Sequence, residues 1–311
     1  MHRRSLLLAA LLAPALATRA RAASGAPRVV ATVSVLGDMV NQIAGKDVAL
    51  TTIVGPDGDT EAYEPSAADA RALAEADLLV MNDLNPEFEP WLPSLMNQAQ
   101  FQGTKLVATN GVHTLRKAEE ENTPAGVEAG SGEIDQHAWH DAANAAIYVA
   151  NIQKGLIELD PAHASDYRTR GNAYHAQVAA LDGWAKKRLA DVPAPRRKVI
   201  TSHDGFAYLA RAYKIDIIGA RGWTNDKEAS AQQVADLIQL IKANQVHAIF
   251  IENMNDPRVI QRISQETGVK IGGELFSDAL SKPGEGGDAY VKMFQHNIET
   301  LRAGMLSGLR S

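Results

Sequence analysis

Along almost the whole chain, short apolar runs rich in β-branched residues alternate with segments whose apolar residues recur at helical spacing. In the first half, strands are predicted at 29–35, 48–54, 77–81 and 105–108, with helices at 36–44, 66–76 and 88–96. The second half repeats the order, with strands at 199–202, 215–219, 248–251 and 269–273 and helices at 206–213, 230–243, 256–267 and 288–306. Strands and helices alternating at this spacing predict parallel sheets with helical crossovers. Between the halves lies a helix at 141–159; Asp160-Pro161 then opens a second helix reaching about Leu189. Proline suits a first helical position, and a helix of that length spans roughly 43 Å. The predicted fold class is α/β: two lobes, each with a mainly parallel sheet flanked by helices, joined by one long spine helix. The expected boundaries are an N-terminal lobe at 28–159, the linking helix at 160–190 and a C-terminal lobe at 196–311. A length of 311 residues agrees with about two domains.

Residues 1–22 stand apart from this pattern. Arg3 and Arg4 form a basic start, 6–17 is an apolar run too short to span a bilayer, and Ala20-Arg21-Ala22 offers a small-x-small cleavage site. The expectation is a cleaved export signal, with Arg3-Arg4-Ser5-Leu6-Leu7 also resembling a twin-arginine signal. The chain contains no cysteine. Disulfides, thiolate metal sites and cysteine nucleophiles are thereby excluded, and the expectation is a periplasmic protein without a lipid anchor. A net charge of -6 with no basic stripe argues against a nucleic-acid partner. The polar stretch 116–135 holds no histidine and is expected to be a mobile surface loop rather than a lid.

Any metal chemistry here needs imidazoles and carboxylates. His203 lies in Thr201-Ser202-His203-Asp204-Gly205-Phe206, between a strand and a helix. That is the end of a strand at which open α/β sheets place their ligands. Glu61, His137 and Asp278 fall in comparable loops. Each alone has an ordinary structural reading as a turn, cap or solvated residue; their shared placement after strands points to one divalent metal. Glu252 and Asn253, at a strand end, are candidates to orient a ligand histidine. His140 could share a helical face with His137. His163, His175, His247 and His296 read as surface or core residues, and His113, bordering the 116–135 stretch, could transiently collect metal.

Four segments together, Tyr63-Glu64-Pro65-Ser66, His137-Ala138-Trp139, Ser202-His203-Asp204-Gly205-Phe206 and Phe276-Ser277-Asp278-Ala279-Leu280-Ser281, resemble the zinc and manganese receptors of bacterial ABC importers. The similarity covers nearly the whole chain after the signal. It is greatest to the zinc receptors lacking a histidine-rich loop, through Arg221-Gly222-Trp223 and Glu252-Asn253. The resemblance implies a metal bound between the lobes by Glu61, His137, His203 and Asp278. It also implies delivery to an ABC permease by a monomer, with a periplasmic metallochaperone as a further partner. At position 61 such receptors usually carry histidine, in Asp-x-His-x-Tyr-Glu-Pro; here the run is Asp59-Thr60-Glu61-Ala62-Tyr63-Glu64-Pro65. A second carboxylate favours harder ions, whereas His203 favours zinc, because the manganese receptors carry a carboxylate there. The expected cargo is Zn2+, with Mn2+ second, and zinc binding weaker than at a three-histidine site. Alternatively Glu61 points away and water completes the shell. Four protein ligands would close the position that a catalytic zinc keeps open, so no enzyme is expected. A zinc-dependent hydrolase is the reading if only three residues bind.

Overall fold

The computed structural model describes residues 25–116, 134–219, 231–244, 246–253 and 257–307. The expected export signal, most of the 116–135 stretch and Arg221-Gly222-Trp223 lie outside the described residues.

The N-terminal half builds β1 (Arg28–Val33), α1 (Ser34–Ala44), β2 (Ala49–Val54), α2 (Ala67–Glu75), β3 (Leu78–Met81), α3 (Leu92–Gln98) and β4 (Thr104–Val107). Two helices follow, α4 (Ala142–Leu159) and α5 (Ala164–Arg188). The C-terminal half builds β5 (Lys198–Thr201), α6 (Ala207–Tyr213), β6 (Asp216–Gly219), α7 (Ala231–Asn244), β7 (Ala248–Glu252), α8 (Arg258–Thr267), β8 (Ile271–Leu275) and α9 (Tyr290–Leu306). The four strands of each half pair in parallel, in the orders β2-β1-β3-β4 and β6-β5-β7-β8. The two orders are the same: the second strand of each half lies on one side of the first, and the third lies on the other. Each sheet therefore reverses direction beside its first strand, which opens a crevice at the carboxyl ends.

Boundaries differ from expectation where packing overrides local pattern. Proline at 161 opens a short 3-10 turn, Pro161–His163, before the 25-residue α5 begins. The helix expected at 88–96 starts later, at Leu92, with Pro93 in its first turn. Strand β8 sits two residues further along than its apolar run, as Ile271–Leu275. A Cβ at Gly272 would lie 2.5 Å from the Phe250 ring, so only glycine lets β8 pass that ring.

The spine helix buries Tyr167, Gly171, Tyr174, Val178, Leu181 and Ala185, which recur at three- and four-residue steps along one face. At its start, Arg170 donates to the Ile43 and Ala44 carbonyls, which end α1, and pairs with Asp47. At its end, Arg188 forms two hydrogen bonds to Glu299 of α9. One apolar cluster runs through both halves, joining Val30, Leu79 and Val149 to Leu181, Phe206, Leu275 and Leu301. A smaller cluster, with Ile200, Leu237, Ile249 and Ile263, lies between the second sheet and α7 and α8. Among the described residues, no helix is long and apolar enough to cross a membrane.

Candidate metal centre

His137, His203 and Asp278 are brought together although 141 residues separate the first from the last in sequence (278 minus 137). One donor atom from each lies within 4.8 Å of the others. His137 precedes a 3-10 turn, Ala138–His140, and its segment lies over the first crevice, where Asn82, just after β3, donates to the Gln136 carbonyl at 3.0 Å. His203 follows β5 and Asp278 follows β8. The two imidazole rings stand 5.4 Å apart between centroids. Asp278 Oδ1 is 3.2 Å from His137 Nε2 and 3.7 Å from His203 Nε2.

Each imidazole has a carboxylate behind it that accepts from the backbone N–H of the same histidine. Asp135 Oδ1 accepts from the His137 backbone N–H at 2.8 Å and lies 2.9 Å from its Nδ1. Glu252, the last residue of β7, accepts from the His203 backbone N–H at 3.0 Å, and its other oxygen lies 2.6 Å from His203 Nδ1. At His137 the carboxylate accepts, so Nδ1 carries the hydrogen and Nε2 faces Asp278; at His203 the Glu252 contact is an ion-pair approach, and Nε2 again faces Asp278. His137 Nε2, His203 Nε2 and Asp278 Oδ1 are buried without a hydrogen-bond partner. Buried polar atoms normally have one; three such atoms turned toward one another form a cradle for a cation.

The electrostatics follow from this geometry. Burial opposes charge on His137, yet the Asp278 and Asp135 carboxylates outweigh it and push the ring up to about 10. Burial likewise opposes charge on His203, where Glu252 and Asp278 raise it well above the ordinary imidazole value. Burial would raise Asp278, but the two imidazoles hold it well below the usual carboxylate range. His140, fully enclosed and close to His137, is pushed down to about 3 by burial and by that neighbour. Phe88 and Trp139 stand edge-on to His137, with ring centroids at 6.0 and 5.5 Å, and wall the site against water.

Glu61 stands at the exposed rim rather than in the three-residue group. Its backbone is fixed by an Asx turn, in which Asp59 Oδ1 accepts from the Glu61 and Ala62 N–H groups, and by Trp91, which donates to the Thr60 carbonyl. Its Oε1 accepts from Gln136 Nε2 at 2.6 Å, one residue before His137. Glu252 orients His203 as its place at a strand end suggested, whereas Asn253 instead donates to Asp57 and the Ala279 carbonyl. The equivalent role of Asp135 was not read from the sequence; its signal is a carboxylate two residues before a histidine. Of the other histidines, His163 contacts Asp160, while His247 and His296 face the carbonyls of Pro195 and Glu274.

Known proteins similar to this chain are metal-binding receptors. The family described as "ZnuA: Zinc-uptake complex component A periplasmic" matches residues 29–304. The metal ABC transporter substrate-binding lipoprotein SloC of Streptococcus mutans is 32% identical over 285 residues, covering 89% of each chain. The manganese ABC transporter substrate-binding lipoprotein PsaA of Streptococcus pneumoniae is 30% identical over 303 residues, covering 96% of this chain and 95% of that one. The solved structure of the periplasmic zinc-binding protein TroA from Treponema pallidum superposes with a TM-score of 0.79 at 30% identity, covering 90% of this chain and 99% of that chain. SloC and PsaA are named lipoproteins, which runs against the expectation of a receptor without a lipid anchor. TroA is named for zinc and PsaA for manganese, while SloC's name gives only a metal; each name describes binding rather than catalysis. With two matching parallel-sheet lobes and a family match across nearly its whole length, the chain belongs to the ZnuA family of metal-binding receptors of ABC transporters, which are binding proteins and not enzymes.

Proposed function

We propose that this receptor captures Zn2+ in the cleft through His137, His203 and Asp278, with Glu61 as fourth donor, and passes it to an ABC permease. The observation that carries the reading is the convergence of three buried donor atoms without hydrogen-bond partners. Two imidazoles and a carboxylate, with the imidazoles already oriented through Nδ1, suit zinc. Glu61 joins the shell by exchanging its Gln136 bond for the ion. Mn2+ is the second reading. It is favoured by the second carboxylate, since oxygen donors suit manganese, and by the manganese relative PsaA. The receptor acts outside the cytoplasmic membrane, in the periplasm, after removal of residues 1–22. It works as a monomer and takes its ion free or from a metallochaperone.

Elemental analysis of the purified protein, followed by competitive titration of zinc against manganese, tests the cargo. Binding of neither ion ends the reading; tighter manganese binding replaces zinc with the second one. Glu61→His should tighten zinc by about tenfold or more and weaken manganese, because imidazole suits zinc and carboxylate suits manganese. Unchanged affinity and selectivity in that variant removes Glu61 from the shell.

A further inference from the structure

The loop that carries Asp278 is held from both halves of the chain. Trp139 Nε1 donates to the Ser277 carbonyl at 3.1 Å, and His140 Nε2 lies 3.0 Å from the same oxygen. On the far side Asn297 of α9 clamps Phe276, its Oδ1 accepting from the Phe276 N–H and its Nδ2 donating to the Phe276 carbonyl. Further along, Ser34 Oγ accepts from the Leu280 N–H, and Asp57 N–H donates to the Leu280 carbonyl. The peptide unit that ends at Asp278 therefore has both lone pairs of its carbonyl oxygen engaged by ring N–H groups. Those groups come from the 3-10 turn directly after His137.

His140 is fully buried and packs on Phe206 with ring centroids 4.7 Å apart. A carbonyl only accepts, so its contact places the hydrogen on Nε2 and leaves Nδ1 as a lone pair. That Nδ1 is buried without a partner. An apolar side chain would fill the same space without this unpaired nitrogen, whose burial costs free energy. What imidazole adds over such a side chain is the second N–H on Ser277.

We propose that His140 is a positioning residue for the cargo site: with Trp139 it fixes the Ser277 carbonyl, and so sets Asp278 Oδ1 opposite the two ligand imidazoles. This rests on the reading of His137, His203 and Asp278 as the ligands of the cargo. The turn bearing one ligand thereby places another across the cleft, and the site is assembled before the ion arrives.

The test compares wild type, H140M, H140Q and W139F. Zinc affinity is measured by competitive titration, the ligand field by visible absorption of bound Co2+, and the fold by thermal unfolding of the metal-free protein. Methionine fills the space without a donor, glutamine restores an N–H, and W139F removes the other donor while keeping an aromatic ring. Removing a group that orients a metal site typically weakens binding roughly 10- to 100-fold. The expected result is a loss of that size in H140M and W139F, with a changed Co2+ spectrum, and recovery of most of it in H140Q. If H140M does not fold, the contrast between H140Q and W139F decides. Wild-type affinity and spectrum in H140M or W139F overturn the proposal, as does an H140Q protein that folds but binds no better than H140M. A wild-type protein that binds neither zinc nor cobalt overturns instead the ligand reading on which it rests.

Discussion

At the scale of single residues, the centre is two copies of one device. A carboxylate accepts from the backbone N–H of a histidine and lies close to its Nδ1, Asp135 for His137 at 2.9 Å and Glu252 for His203 at 2.6 Å. Asp135→Asn and Glu252→Gln should each lower zinc affinity roughly 10- to 100-fold, read by competitive titration, because an amide oxygen holds the ring less firmly. The protonation of the site has a definite sign. His137 is raised to about 10 in the metal-free protein, so the folded state holds a proton that the unfolded chain sheds near pH 6.5. This stabilisation is fully present below about pH 6.5 and is lost as pH rises through about 10. The ion needs that proton gone. Titrations at rising pH between about 6 and 8 should therefore show tighter zinc binding with release of protons to buffer. Affinity that is flat across this range would contradict the picture.

Secondary-structure elements act by where they end. Strands β5 and β7 flank the crevice of the second sheet, and their ends deliver His203 and its holder Glu252 side by side. The turn after β5 needs a glycine for a local reason: a Cβ at Gly205 would lie 2.6 Å from His203 Cε1 and Nε2. Gly205→Ala should push the ring off the cleft centre, weakening zinc binding by about tenfold or more while thermal unfolding of the metal-free protein changes little. Helix α2 shows a role unconnected with metal. Ser66 and Asp69 form a complete capping box at its start, and Ser66→Ala should cost about 1 kcal/mol in chemical denaturation with zinc affinity unchanged.

For the molecule as a whole, what matters is that the two halves are not separate bodies. A continuous apolar cluster and the α5 spine join them, and polar straps such as Tyr208 to the Asp135 carbonyl and Tyr290 to the Trp139 carbonyl cross the cleft. Wide hinge closure would break this core. Solution scattering of zinc-free and zinc-loaded protein should accordingly give closely similar radii of gyration, whereas a large domain rotation would show as compaction. Zinc binds the folded state alone, so at about 100 times its Kd it should add about 2.7 kcal/mol and raise the melting temperature by several degrees.

The sequence by itself determined the alternating elements, the parallel sheets and the spine, because apolar period and turn chemistry are local properties. It also marked His137, His203 and Asp278 as candidates: His203 and Asp278 follow strands at the end where such sheets hold their ligands, and His137 stands just before a helical turn. Only the tertiary structure decided which atoms meet. The hold of Glu252 on His203, the rim position of Glu61 and the straps from Trp139 and His140 to Ser277 depend on distances between segments up to 138 residues apart (Trp139 and Ser277). No local pattern encodes a distance of that kind, which arises when two sheets of the same topology pack about one shared core and turn their crevices toward each other.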